Sequence, residues 1–445
     1  MKYFFPAVVF ILLFAACSPD FQPVKSGYTL SFSSDTISFD TVFSQTGTST
    51  HVLKVYNKNE SDIEISRIKL GKQTGKNFLI NVDGVSGQTF ENVRIRANDS
   101  LFIFIKAYLP SNEADSVMFV ADSLVFSNEN NEQFVHLVAW SEDVILIDGE
   151  VLGTQTLTAD KPYVVFNSMM VDTGQVLTLN AGTRMYFHHK SRLYVAGTLI
   201  CNGTQDQPVQ FMGDRLDYFL PDVKYNKLPG QWEGIWFFPE SRNNVLKNTI
   251  VANAVIGIQA GALPGTSQPD VLIDNALITN HSYAALFAIN AKLKVYNSEI
   301  SNAGTYLAAL VVGGNYDGVH NTFANYYYFG ASNESPILLS DNVIYNNVLY
   351  TAPLTRAHFY NCIFDGMQNN SVTLSKSSDG AALQYLFSHC MMQYEKKIAG
   401  YDTVSNPNLV GIIWNEDAKF KKKEMYNFNY ELDTLSPALN KASLD

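Results

Sequence analysis

The sequence has few cysteines and few basic residues. Only four cysteines occur in 445 residues, and three of them, Cys201, Cys362 and Cys390, follow position 17. Such a sparse and odd-numbered set excludes a fold built on a disulfide framework. The 31 lysines and arginines are outnumbered by 42 acidic residues, and no basic run occurs before Lys421. A formal charge of −11 without a basic patch therefore argues against nucleic acid as a partner.

Long amphipathic helical patterns are also lacking, and charged residues of both signs make up only 16% of the chain. Hydrophobic residues make up 46%, a balance that excludes an intrinsically disordered protein. The 24 tyrosines and 29 phenylalanines favour strands. A chain of this length exceeds what one compact core usually holds. We expect an all-β protein with more than one domain.

The N-terminus has the pattern of a secretion signal. Lys2 precedes an apolar stretch at 3–16, which is too short to span a bilayer. The segment Leu13–Ser18 resembles a bacterial lipobox, in which small residues precede a cysteine. The resemblance implies a lipid on Cys17, with an ordinary secretion signal as the alternative. Ser18 differs from the aspartate that favours inner-membrane retention in lipoproteins, so we expect an outer-membrane lipoprotein, on either face of that membrane.

Four segments follow from this interpretation. Residues 1–16 form the signal peptide, and residues 17–27, which contain two prolines and one glycine, form a lipidated tether. Residues 28–143 contain about seven short alternating strands separated by turn residues, the rhythm of an immunoglobulin-like β-sandwich. The Phe39–Phe43 strand and the later Ala97–Phe102 segment resemble immunoglobulin-like modules at the front of Bacteroidetes lipoproteins.

The rhythm changes in residues 144–445. Strands there alternate with Gly-Thr turns, as in 175–187, 193–204 and 207–211. This pattern resembles the right-handed parallel β-helix proteins of secreted bacterial type. We therefore predict an immunoglobulin-like sandwich followed by a right-handed parallel β-helix.

An internal repeat supports the solenoid independently. Seven six-residue segments align, with starts 19 to 27 residues apart, about one coil each. Their fourth residue is always large and apolar, which predicts an inward-facing column, and asparagine recurs at the first and sixth positions, which predicts bends with left-handed backbone. The segments begin at Asn248, Asn275, Asn297, His320, Asn342, Asn361 and Ser388.

The repeat register argues against several kinds of catalytic or metal site. Asp274 and Asp341 share a register but lie three coils apart, roughly 14 Å at the spacing of neighbouring strands, and the other acidic residues of the repeats fall at different registers. The histidines of the repeats also take different registers, so we expect neither a catalytic acid pair nor a metal or cofactor site. Cys362 and His389 share a register in this alignment. A nucleophilic pair is one interpretation, and a buried packing pair is the favoured one.

An insertion interrupts the coils between Phe211 and Gln231, at 214–229. Insertions in solenoids gather on one face and often bind ligands. Tyrosines with basic residues suit sugar rings and acidic groups, so the insertion and the two tryptophans after it form the predicted ligand-binding set. An interior position for one or both tryptophans is the alternative. The set comprises Arg215, Tyr218, Lys224, Tyr225, Lys227, Trp232 and Trp236.

These observations favour a cell-envelope lipoprotein that binds glycans or mediates adhesion without catalysis. One alternative is a polysaccharide lyase or glycoside hydrolase that acts on an acidic glycan. Another is a structural role beside protein partners in an envelope assembly. The expected partners are the membrane, through the N-terminal lipid, a polysaccharide, and envelope proteins.

Overall fold

In a computed structural model, the chain divides into two compact units, Met1–Asp143 and Val144–Asp445. The structure describes residues 23–72, 77–111, 117–263, 267–330, 333–378, 382–395, 403 and 405–443. The signal peptide, Cys17 and the first part of the predicted tether lie outside the described residues. Within the described residues, no helix is long and apolar enough to cross a membrane.

The described part of the first unit is built from ten strands. They are β1 (Ser31–Phe32), β2 (Thr36–Phe43), β3 (His51–Tyr56), β4 (Ile63–Leu70), β5 (Phe78–Val82), β6 (Val85–Gly87), β7 (Thr89–Ile95), β8 (Ser100–Ala107), β9 (Met118–Ser127) and β10 (Glu132–Glu142).

These strands form two five-stranded sheets, in the orders β1-β3-β8-β5-β6 and β2-β10-β9-β4-β7. The pairing is antiparallel except between β2 and β10, which run parallel. Alternate residues from both sheets enter one hydrophobic core, and Phe39 of one sheet touches Phe78 of the other with ring centroids 5.7 Å apart. The immunoglobulin-like assignment of this unit stays a prediction.

The second unit contains the remaining strands of the described residues and one 3₁₀ turn at Tyr225–Lys227. Its strands are β11 (Ile145–Leu152), β12 (Gln155–Leu157), β13 (Tyr163–Val171), β14 (Val176–Asn180), β15 (Arg184–Phe187), β16 (Arg192–Val195), β17 (Thr198–Asn202), β18 (Val209–Gly213), β19 (Tyr218–Leu220), β20 (Val223–Lys224), β21 (Gly234–Phe237), β22 (Asn244–Lys247), β23 (Thr249–Ala252), β24 (Ile256–Gly261), β25 (Asp270–Asp274), β26 (Leu277–His281), β27 (Ala284–Ile289), β28 (Lys292–Tyr296), β29 (Glu299–Ala303), β30 (Tyr306–Val311), β31 (Gly314–Val319), β32 (Thr322–Asn325), β33 (Ile337–Ser340), β34 (Asn342–Tyr345), β35 (Val348–Thr351), β36 (Leu354–Tyr360), β37 (Ile363–Gly366), β38 (Val372–Ser375), β39 (Leu386–Ser388), β40 (Met391–Met392), β41 (Leu409–Val410), β42 (Ile413–Trp414), β43 (Phe420–Glu424) and β44 (Asn427–Leu432).

Most of these strands belong to two long sheets, one of ten strands and one of eighteen, in which the described pairings are parallel. One coil, for example β25-β26-β27, gives one strand to the ten-stranded sheet and two to the other. We call the ten-stranded sheet face A. Face B is the ladder that includes β15, β18, β23, β26, β29, β32, β37 and β40, and face C is the ladder that includes β16, β21, β24, β27, β30, β33 and β38. The long parallel sheets of an all-β, solenoid-like fold agree with the sequence prediction.

The predicted inward column is present on face B. Val251 pairs with Ile278, Ile278 with Ile300, and Ile300 with Phe323, which in turn pairs with Phe364. All five side chains are buried in one continuous core. Each coil thus stacks an apolar side chain directly on that of the next, which removes apolar surface from water along the whole ladder.

The predicted asparagine bends are also present. Asn248, Asn275 and Asn297, at the corner between faces A and B, have φ of 46°, 53° and 51°. Asparagine adopts this left-handed backbone more readily than most residues. The Asn275 amide donates to the side-chain oxygen of Asn248, and that of Asn297 donates to Asp274 at 3.0 Å, so the corner is linked from coil to coil.

The repeat prediction is wrong for two of the seven segments. Asn342–Tyr345 is not part of a coil, because β34 pairs antiparallel with β35 in a hairpin. The last segment was aligned one residue out, since Ile363 pairs with Met391. His389 therefore occupies the bend, with φ of 54°, and Cys390 rather than His389 takes the register of Cys362. The predicted contact between Cys362 and His389 is therefore wrong. Cys362 interacts instead with Cys390, and both are buried free thiols.

Candidate functional site

A partly exposed aromatic surface lies on the outside of face C, where β16 and β21 run side by side. Tyr194 pairs with Trp236, and the residues on either side of each point into the core. Alternation along a strand sends neighbouring side chains to opposite faces, so both rings face outward. The ring centroids of Tyr194 and Trp236 lie 5.9 Å apart, and Phe238 lies 4.9 Å from Trp236 and 5.8 Å from Tyr194. We call these three residues with Arg192 the aromatic strip.

Fixed polar contacts hold the strip in place. The indole nitrogen of Trp236 donates to the carbonyl oxygen of Gly261 at 3.2 Å. The Arg192 guanidinium lies 5.9 Å from the ring centroid of Tyr194 and 5.6 Å from that of Trp236. It also pairs with Glu233 at 3.1 Å. A cation beside aromatic faces, already held by a carboxylate, gives a surface that can stack on a sugar and hydrogen-bond its hydroxyls.

An ionic pair flanks the start of the insertion. Nδ1 of His188 lies 2.7 Å from a carboxylate oxygen of Asp214, and its ring centroid lies 4.5 Å from that of Phe166. The hydrogen bond that His188 donates to the Asp214 carboxylate raises the pKa of His188, although partial burial opposes the shift. The imidazolium form is therefore favoured over a wider pH range than for a free histidine.

The insertion folds into a small hairpin, β19–β20, followed by the 3₁₀ turn. Its turn is tied to the next coil, because the Asn253 amide donates to the carbonyls of Asn226 and Leu228 at 2.8 Å. Gln231 donates to the Leu228 carbonyl at 2.9 Å. These contacts fasten the insertion at the corner between faces B and C.

Within the insertion, two of the predicted cations lie over aromatic rings. Arg215 lies 3.4 Å from the ring centroid of Tyr225 and pairs with Asp217 at 2.5 Å, so much of its charge is already balanced. Lys224 lies 5.2 Å from the ring centroid of Tyr218, which is half exposed. Lys227 is exposed.

The two predicted tryptophans do not share a surface. Trp232 is fully buried, stacks on Phe187 with ring centroids 4.3 Å apart and donates to the Ala252 carbonyl at 2.8 Å. It belongs to the core and cannot contact a surface ligand. The inclusion of Trp232 in the ligand-binding set is therefore wrong, and the interior alternative holds for this residue. The two tryptophans diverge because the chain turns at Gly234, whose φ is +103°, a value that L side chains rarely adopt.

Four residues at the strip, Arg192, Tyr194, Glu233 and Phe238, are absent from the predicted ligand-binding set. The signal was present, because 192–195 and 234–237 both alternate, and their alignment would have put Tyr194 beside Trp236. The repeat alignment began only at Asn248, after these coils. Among the described residues, no group of three or more histidine, cysteine or acidic side chains is arranged to hold a metal ion.

Comparisons with known proteins leave the chain without a family. No protein-family model and no curated protein matches it. A family 123 glycoside hydrolase from Clostridium perfringens is 9% identical, with a TM-score of 0.20 over 27% of this chain and 26% of that one. A protein of unknown function from Porphyromonas gingivalis W83 is 14% identical, with a TM-score of 0.19 over 28% of this chain and 60% of that one. The chain thus spans only part of either protein, and likenesses this slight carry no argument about its function.

Proposed function

We propose that this chain is a lipid-anchored envelope protein whose solenoid, a right-handed parallel β-helix, binds glycans without cleaving them. In this proposal, residues 28–143 form an immunoglobulin-like spacer between the lipid on Cys17 and the solenoid. The observation that carries glycan binding is the aromatic strip. Three outward rings lie within 6 Å of one another, and Arg192 lies beside two of them.

The strip has the properties that sugar recognition requires. Stacking a sugar's apolar face on Trp236 removes water from both surfaces, while the Arg192–Glu233 pair offers donors and acceptors for hydroxyl groups. Because Trp236 is held by its hydrogen bond to Gly261, little side-chain entropy is lost on binding.

The basic residues of the insertion give the protein a preference for negatively charged glycans. It leaves the coil at Asp214 and returns at Gln231, so its second end lies five residues before Trp236 along the chain. Lys224 and the exposed Lys227 attract an acidic glycan, whereas Arg215 is largely neutralised by Asp217. Attraction by exposed charges is screened over about 8–10 Å at physiological ionic strength. The insertion therefore affects affinity chiefly at low salt.

Titration of oligosaccharides onto the purified protein tests the proposal, with hexagalacturonate as the acidic probe. Trp236→Ala should weaken binding at least tenfold, equivalent to about 1.4 kcal/mol. Trp140→Ala is the matched control, because Trp140 is a 40% exposed tryptophan of the first unit. Equal affinity of wild type and Trp236→Ala would remove the strip as the binding surface. New reducing ends or unsaturated products would instead support the enzyme alternative.

A further inference from the structure

A second candidate site lies on the same corner of the solenoid, four coils away from the insertion. Between faces B and C, described residues at 327–335 and 367–373, in and beside the loops after β32 and β37, line a cleft of about 630 Å³. A neighbouring cleft of about 460 Å³ opens beside the loops after β37, β40 and β42. Both clefts are lined by Met367, Gln368 and Asn369, so one loop separates them. We call the two together the corner clefts.

Six asparagine and glutamine side chains are among the residues that line the two clefts, and several of them are held by contacts between coils. The Asn369 amide donates to Glu395 at 2.8 Å, and the Asn370 side-chain oxygen accepts from the Glu395 backbone at 2.8 Å. The Asn415 side-chain oxygen accepts from the Tyr394 backbone at 2.7 Å. These hydrogen bonds hold residues 369–370, 394–395 and 415 in place relative to one another before any ligand arrives, which reduces the ordering cost of binding.

An aromatic ring in the first cleft is also fixed in position. The Tyr328 hydroxyl donates to the Lys423 carbonyl at 3.2 Å, and the ring lies nearly parallel to Phe428 at 6.2 Å between centroids. Both partners belong to the β43–β44 hairpin, which packs beside face B. Even so, 46% of Tyr328 is exposed. A pre-positioned and still accessible tyrosine is suited to stacking on a sugar ring.

The charge of the corner clefts differs from that of the insertion. Five carboxylates line them, from Glu334, Asp365, Glu395, Glu416 and Asp417. Lys423 is the one cation among the lining residues of the two clefts in the described structure, and it pairs with Asp417. A surface with this excess of negative charge repels uronates and sulfated sugars. Amides and carboxylates together still provide the donors and acceptors that sugar hydroxyls need.

We propose that the corner clefts bind an uncharged oligosaccharide, as a site separate from the aromatic strip. The proposal does not depend on binding at the strip, because the clefts are formed by different residues. Their excess of carboxylates also contrasts with the basic residues of the insertion. A protein with both sites holds two glycan chemistries on one solenoid, an acidic one at the insertion and a neutral one at the clefts.

Calorimetric titration with cellohexaose, xylohexaose and mannohexaose tests this site. Wild type should bind at least one of them with an affinity that changes less than twofold between 50 and 500 mM NaCl, because no ionic contact to the ligand is involved. Tyr328→Ala should weaken that binding at least tenfold, whereas Trp236→Ala should leave it within twofold. Tyr108→Ala is the matched control, a 45% exposed tyrosine of the first unit.

Asn369→Ala serves as a second variant if Tyr328→Ala lowers the melting temperature, since Asn369 is exposed and its loss leaves the core intact. It should weaken the same binding at least threefold. Failure of wild type to bind all three hexasaccharides, or unchanged binding by both variants, would overturn the proposal. Loss of neutral-glycan binding on Trp236→Ala instead would assign that binding to the strip.

Discussion

At the residue scale, His281 places an ionisable ring inside the apolar core. It lies in β26 opposite Ala303 and is fully buried. Protonation of this ring therefore lowers the stability of the folded state. Burial lowers the pKa of His281 to about 3, although the carbonyls of Ala254 and Val251 oppose the shift. The unfolded chain, with an ordinary histidine pKa of about 6.5, binds a proton that the folded chain rejects.

Stability should therefore fall as the pH is lowered from about 6.5 towards 3, by up to about 1.4 kcal/mol per pH unit from this residue. His281→Leu should lose that slope, as measured by urea unfolding at several pH values. His188→Gln should remove a slope of the opposite sign at higher pH. Because Asp214 raises the pKa of His188, its contribution to stability is complete below about pH 6.5 and is lost as the pH rises through its folded pKa. An unchanged slope in His281→Leu would mean that other groups cause the acid sensitivity.

The sequence predicts which kinds of side chain form the candidate site better than it predicts whether each of them faces the core or the solvent. Trp232 and Trp236 are identical in type and four residues apart, yet one is in the core and the other faces outward. The difference arises from the bend at Gly234, whose backbone comes close to the carbonyl of Ile256 in the next coil. A contact with another coil is invisible to local periodicity, so the strip could not be separated from the core in advance.

At the scale of one strand, two neighbouring residues of β29 face opposite sides of the sheet. Ile300 is fully buried between Ile278 and Phe323, whereas Glu299 points to the outer side and shares a hydrogen bond with Ser301. Ile300→Asp should unfold the solenoid or reduce the free energy of unfolding by several kcal/mol, because a buried carboxylate has no partner there.

Glu299→Gln is the matched control and should stay within about 0.5 kcal/mol of wild type. Partial burial already raises the pKa of Glu299, so loss of its charge carries little penalty. Chemical denaturation of both variants checks the register. Similar losses of stability in the two would contradict the assignment of inner and outer faces.

The hairpin β34–β35 shows why one element of the repeat was misread. Asn342–Tyr345 has the same residue pattern as the coil segments, but Asn346 and Asn347, with φ of 49° and 61°, turn the chain back on itself. Two consecutive left-handed residues give the tight turn that suits a hairpin. The hairpin covers an apolar outer patch of face C around Val311 and Val312. Side chains alternate along a strand in both parallel and antiparallel pairing. Only the two-asparagine turn therefore distinguishes this hairpin from a coil segment.

At the scale of the whole molecule, membrane attachment remains a prediction that rests on Cys17. Cys17→Ala should move the protein from the membrane fraction to the soluble fraction, because lipid chains contribute roughly 0.8 kcal/mol per buried CH₂ group to membrane binding. Fractionation with a carbonate wash and mass spectrometry of the N-terminus measure the change. Ser18→Ala is the control and should stay in the membrane. A Cys17→Ala protein that still resists the wash would exclude the lipid anchor.

The coil spacing also bears on how such a chain can change during evolution. Asp270 pairs with Lys292, and Lys292 with Asn315, so strands one coil apart are separated by 22 or 23 residues. In a solenoid each repeat contacts only its neighbours. Tandem duplication of one such stretch therefore adds a coil and leaves every older pairing intact. A duplication that included the loops after β32 or β37 would copy a wall of the corner clefts as well, and with it part of the proposed binding surface.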